Sequence, residues 1–80
     1  MTRPYPTLRA LLSGLTVDIE GVSFRAVEGE IEPGDVYIAE RNGPPVLLTC
    51  RYVNEQERWI VPAEMAYLYD IRECIKVELA

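Results

Sequence analysis

Eighty residues, 49% of them apolar and 26% charged, suit one domain (1–80) with a single modest core and exclude a disordered or low-complexity chain. No apolar run approaches the roughly 18 residues that span a bilayer, and Met1-Thr2-Arg3-Pro4-Tyr5-Pro6 lacks the charged-then-apolar build of a signal peptide, which predicts a cytoplasmic protein without membrane contact. Histidine is absent, and with it the commonest metal ligand and the side chain best suited to proton transfer near neutral pH.

Along the chain, Pro6 followed by Thr7 to Gly14 predicts one or two helical turns, with Pro at the start, Gly14 as the stop, and Leu8, Leu11 and Leu12 as the buried stripe. From Leu15 the period becomes alternating, with Leu15, Val17 and Ile19 on one side. A two-residue turn at Glu20-Gly21 sets Ile19 opposite Val22 and Val17 opposite Phe24, so both strands present apolar residues to one face and Phe24 lies in the core.

Residues 28–34 form an acidic connection rich in turn formers. The strand at 35–41 is expected to send Val36 and Ile38 inward and Tyr37 outward, and Asn42-Gly43-Pro44-Pro45 closes a turn. A long strand at 46–53 places Val46, Leu48, Cys50 and Tyr52 on one face. Residues 54–57 turn into a strand at 58–61, Pro62 to Tyr67 predicts a helical or 3₁₀ turn, and residues 72–79 close the fold with Ile75, Val77 and Leu79 inward. The expected fold is mainly β, a small five-stranded antiparallel barrel with a short N-terminal helix and one late helical turn.

The order strand, turn, Trp59-Ile60-Val61-Pro62, helical turn with Tyr67, final strand resembles the end of an SH3-type barrel. It departs from that family in lacking the paired tryptophans and in the spacing of Pro62 to the tyrosine, so no ligand groove carries over. The stretches 34–42 (Gly-Asp-Val-Tyr-Ile-Ala-Glu-Arg-Asn) and 66–74 (Ala-Tyr-Leu-Tyr-Asp-Ile-Arg-Glu-Cys) are similar to segments of small phage or prophage proteins. This resemblance implies a phage-encoded protein without a catalytic motif.

The formal net charge of −5 is local. Asp18, Glu20, Glu28, Glu30, Glu32 and Asp35 face a single base, Arg25, while the remaining seven acids and seven bases cancel. The bases elsewhere are scattered singly, so direct contact with nucleic acid is not expected. Cys50 falls with the buried set and Cys74 with the charged set, which predicts two free thiols, one core and one surface. No cofactor or metal is expected, because two isolated thiols fall short of a site. No base stands near Ser13, Ser23 or Cys50 in the pattern, so the chain reads as no enzyme.

These features imply an interaction protein. Its acidic band, with Tyr37, Tyr67 and Tyr69 as exposed rings, is expected to block a basic, nucleic-acid-binding surface of a host defence protein. An alternative is an oligomeric binder that sequesters a nucleotide-like ligand through Arg41, Arg51 or Arg72. A third reading is a structural subunit of an assembly. Self-association would also help so small a domain, making a homo-oligomer compatible with its length.

Overall fold

The computed structural model describes residues 6–41 and 43–80; residues 1–5 of the segment read for targeting and Asn42 of the predicted turn lie outside them. Pro6–Leu12 forms helix α1. Proline suits its first position because the missing N–H has no helical partner there. The helix stops at Gly14, whose φ of 87° is left-handed. The Gly14 N–H donates to Leu11 O and the Leu15 N–H to Ala10 O, at 3.1 and 3.0 Å, which is the two-bond closure of a Schellman cap. Leu15 therefore belongs to the cap and is exposed, as is Leu12 at 66%, whereas Leu8 and Leu11 are buried. The expected apolar stripe is narrower by one residue and the strand starts two residues later.

Among the described residues seven antiparallel strands follow: β1 (Val17–Ile19), β2 (Val22–Ala26), β3 (Val36–Ala39), β4 (Val46–Asn54), β5 (Trp59–Pro62), β6 (Tyr69–Asp70) and β7 (Cys74–Leu79). They form one curled sheet in the order β1-β2-β7-β3-β4-β5-β6, seven strands where five were expected. The β1–β2 hairpin has the predicted register, with Ile19 opposite Val22 and Val17 opposite Phe24. Glu20 and Gly21 both have positive φ, 51° and 83°, the turn geometry whose twist matches that of the flanking strands. Phe24 is buried.

The sheet carries an apolar core on each face. One is Leu8, Leu11, Phe24, Ile38 and Val77, roofed by α1. The other is Tyr37, Ala39, Leu48, Cys50 and Ile60, with Tyr69, Ile71 and Cys74 packed against it. Strand β3 serves both: Ile38 enters the first, while Tyr37 and Ala39 enter the second. This corrects the expectation that Tyr37 faces solvent. It is 0% exposed, and Val36, expected inside, is the exposed residue of the strand. A central strand covered on both faces has no solvated side for a polar residue to mark.

Strand β4 departs from strict alternation. Its partners on β5 jump from Pro62 opposite Cys50 to Val61 opposite Tyr52, so Arg51 is an extra residue and the side-chain parity flips beyond it. Leu48 and Cys50 are buried as expected, but Tyr52 turns outward and Val53 packs on the second core instead. Leu79, expected inward, is exposed at the end of β7.

The predicted helical turn at 62–67 does not form. Pro62 ends β5, Ala63 continues its ladder by donating to Thr49 O at 2.8 Å, and residues 63–68 run without regular structure. The late turn is instead a 3₁₀ turn at Ile71–Glu73, set by a capping box. The Asp70 carboxylate accepts from the Arg72 N–H, and the Glu73 carboxylate accepts from the Asp70 N–H. Helix α1 is tied to the sheet by Glu40, the one buried charged side chain among the described residues, whose Oε1 accepts the Thr7 N–H at 2.9 Å. A carboxylate there satisfies an N-terminal donor and complements the positive end of the helix.

Truncating Phe24→Ala should remove about 3–5 kcal/mol of stability, read from the urea midpoint. The Tyr37 hydroxyl is buried without a hydrogen-bond partner among the described residues. Because an unpaired buried hydroxyl costs about 1–3 kcal/mol, Tyr37→Phe should raise the midpoint. A lower midpoint would mean that the hydroxyl is paired.

Candidate functional site

The acids that adjoin in sequence are divided in space. Asp18 and Glu20 sit at the hairpin tip and Glu28, Glu30, Glu32 and Asp35 at the other end of β2, whose five residues at about 3.3 Å each put the two groups roughly 16 Å apart. Asp18 accepts a hydrogen bond from the Ser23 hydroxyl. Asp35 closes its own loop: it accepts the Glu32 N–H at 2.8 Å and meets Lys76 Nζ at 3.3 Å. These donors, Glu32 first, hold its carboxyl below the ordinary range. Ile31 packs on the second core, leaving Glu30 and Glu32 exposed on either side of it. Arg25, the one base of the segment, pairs with Glu78 across β2 and β7 at 2.6 Å.

The three tyrosines proposed as a patch do not come together. Tyr37 is core, and burial pushes its phenol well above the ordinary range. Tyr69 is half-buried beneath Arg41, whose guanidinium lies 5.2 Å from the ring centre. Tyr67 alone of the three is open to solvent, at 82%.

The arginines are dispersed as well. Arg41 grips Glu73 with two donors, at 2.8 and 3.0 Å, and reaches Leu68 O at 3.4 Å. Arg72 binds Asp70 at 3.0 Å, and Arg51 stands exposed at the bulge. Glu73 is held below its ordinary value chiefly by Arg41, and Asp70 chiefly by Arg72. None of the three arginines lines the cleft beside the 28–34 loop or the cleft beside the β1–β2 hairpin.

Both cysteines are free, but Cys74 is not the surface thiol that alternation suggested. It packs against the second core and its Sγ donates to Asp70 O at 3.4 Å. Burial first, then the neighbouring Glu73 and Asp70 carboxylates, push it up to about 12. The Cys50 thiol is also raised by burial. Both shifts are opposite to those of an activated nucleophile. Among the described residues no group of three or more acidic or cysteine side chains is placed to hold a metal, and no helix is long and apolar enough to cross a membrane.

Two open clefts differ in their electrostatics. The first, about 790 Å³, lies between the 28–34 loop, the β4–β5 turn and the 3₁₀ turn, and its charges are mixed, with Glu30, Glu32 and Glu55 against Arg58 and Lys76. The second, about 830 Å³, lies between the β1–β2 hairpin, residues 44–48 and the 64–66 loop. Among the described residues, the charged ones that line it are all acids: Asp18, Glu20 and Glu64. Val22, Leu47 and Met65 line it and are exposed, Met65 completely. Glu64 also positions the loop, since its Oε1 accepts the Thr49 N–H at 2.9 Å, a bond that holds its carboxyl below the ordinary range.

An apolar floor under an acidic rim makes the second cleft the better candidate site. Asp18 and Glu20 were legible in the sequence. Met65, Val22 and Leu47 were not, because an apolar residue in a strand or presumed helix carries no sign of exposure, and Glu64 was not, because it lies far along the chain from the acidic run. No protein-family model, curated protein or solved structure matches the chain.

Asp70 and Glu73 titrate below their ordinary values of 3.8 and 4.5, so each contributes stability that is complete above those values and lost as pH falls through the lower folded ones. Stability should therefore be level near neutrality and decline below about pH 4.5, and Glu73→Gln should flatten part of that decline. An unchanged profile would mean that Glu73 is not coupled to folding. Thiol labelling of the native protein should be slow at both cysteines and complete after denaturation. Rapid native labelling of Cys74 would contradict its packing.

Proposed function

We propose that this protein is a non-enzymatic interaction domain that covers a basic surface of a partner protein, with the cleft between the β1–β2 hairpin and the 64–66 loop as the contact. The observation that carries this reading is the cleft's single sign of charge over exposed apolar residues. Apolar burial supplies affinity, while Asp18, Glu20 and Glu64 attract Lys and Arg and speed encounter. A surface that ordinarily binds phosphates is the partner class that such acids can occupy, and cover of that surface inhibits by exclusion. No protonation change is needed.

The SH3-like reading belongs to the same proposal. Strands β7-β3-β4-β5-β6 make a five-stranded curl whose last two members in the chain, β6 and β7, are joined by a 3₁₀ turn. On this view α1 and the β1–β2 hairpin are additions, and the hairpin builds one wall of the cleft.

The test uses a fluorescein-labelled amphipathic Lys/Leu peptide, with a Glu/Leu peptide of the same length as control. The Lys/Leu peptide should bind selectively, and its association rate should fall as salt rises past 0.15 M, where charges are screened within about 8 Å. Asp18→Asn with Glu20→Gln should weaken binding about tenfold, the loss of two rim contacts of up to about 1 kcal/mol each. The triple Gln variant at Glu28, Glu30 and Glu32 should bind nearly as wild type. Equal binding of both peptides, or a loss confined to the 28–32 variant, would refute the cleft as the contact.

A further inference from the structure

Met65, Tyr67 and Leu68 are all exposed, Met65 completely and Tyr67 at 82%. Scattered exposed apolar residues are ordinary on a protein surface. Here three fall within four positions, on a segment without secondary structure, beside a cleft already lined by exposed Val22 and Leu47. Methionine and tyrosine are both enriched in protein interfaces, and tyrosine is among the residues that dominate binding energy.

The segment is fastened at both ends. At the first, the Ala63 N–H donates to Thr49 O at 2.8 Å and Glu64 Oε1 accepts the Thr49 N–H at 2.9 Å. At the second, Arg41 donates to Leu68 O at 3.4 Å while its other donors hold Glu73 and its guanidinium rests over Tyr69. A loop fixed at each end and apolar at its tip has already lost part of the conformational freedom that binding would otherwise remove.

We infer that residues 63–68 form a preorganised recognition loop that packs Met65 and Tyr67 against apolar side chains of the basic partner surface, with Arg41 and Glu64 as positioning residues. This rests on the proposed function and names the contact that anchors it. Charge selects the occupant. A second copy of this chain would set the acids Asp18, Glu20 and Glu64 against their own kind, a repulsive arrangement. An anionic bilayer would be repelled by the same rim. A basic protein surface is complementary to it.

The same Lys/Leu peptide serves as the probe. Met65→Ser with Tyr67→Ser should lower its affinity about tenfold or more and leave the urea midpoint close to that of wild type, since both side chains are exposed. Arg41→Lys keeps the charge but loses the two-pronged grip. It should raise the fast motion of residues 64–68, read as lower amide order parameters in NMR relaxation, and weaken the peptide, although Met65 and Tyr67 are unaltered. Full affinity in the double Ser variant, while Asp18→Asn with Glu20→Gln still weakens binding, would overturn the loop inference and leave the acidic cleft standing. Unchanged order parameters at residues 64–68 in Arg41→Lys would overturn the positioning role. A wild-type dimer in sedimentation that the double Ser variant disperses would make a second copy the occupant, against the inference. Failure of wild type to bind the peptide at all would overturn this inference and the proposed function together.

Discussion

Strands β3 and β7 pair in the middle of the sheet, Tyr37 with Lys76, Ile38 with Ile75 and Ala39 with Cys74, and both cores are built on that ladder. Ile38 and Val77 face α1, while Tyr37, Ala39 and Cys74 face the hollow of the curl. Since β7 is the last strand of the chain and also pairs with β2, the N-terminal hairpin joins the sheet only through the C-terminal residues. A domain of this size cannot supply two independent cores, and a shared central strand lets one ladder serve both.

Polar side chains then determine where the curl ends. Glu73 accepts from the Asp70 N–H and from two Arg41 donors, so one carboxylate ties the 3₁₀ turn to the residue that follows β3 and Glu40. Glu40 does the equivalent on the opposite face by receiving the α1 N-terminus. These carboxylates are little exposed, and each is met by charge-assisted hydrogen bonds, the condition under which such groups are tolerated inside a fold. The same Arg41 reaches Leu68 O, so the network that closes the sheet also fastens the segment that exposes Met65, Tyr67 and Leu68.

Charge adjacency along the chain and charge adjacency on the surface are different properties here. The acidic run of 18–35 is divided by β2, with Asp35 spent on its own loop and on Lys76. The cleft with a single sign of charge recruits only Asp18 and Glu20 from that run and takes Glu64 from far along the chain. The three arginines considered for an anionic ligand are likewise separated, two of them occupied by Glu73 and Asp70. The geometry therefore moves the candidate contact from the acidic connection to the hairpin tip and the 63–68 loop.

Sequence alone determined the features whose causes are local: a helix begun by Pro6 and stopped by Gly14, a hairpin whose two-residue turn sets the register of Ile19 and Val22, and a mainly β chain. These follow from turn chemistry and from alternation against water, both contained in a few neighbouring residues. Tertiary structure decided the side on which Tyr37 lies, because a strand covered on both faces has no polar alternation to read, and it packed Cys74 inward on the face shared with Lys76 and Glu78, because the second core reaches only the start of β7. It decided the parity beyond Arg51, because a bulge is an agreement between two strands and is not written in one. It also placed the late turn at Asp70 and Glu73 and left Met65 and Tyr67 in the open, since apolar residues look the same in sequence whether packing reaches them or not.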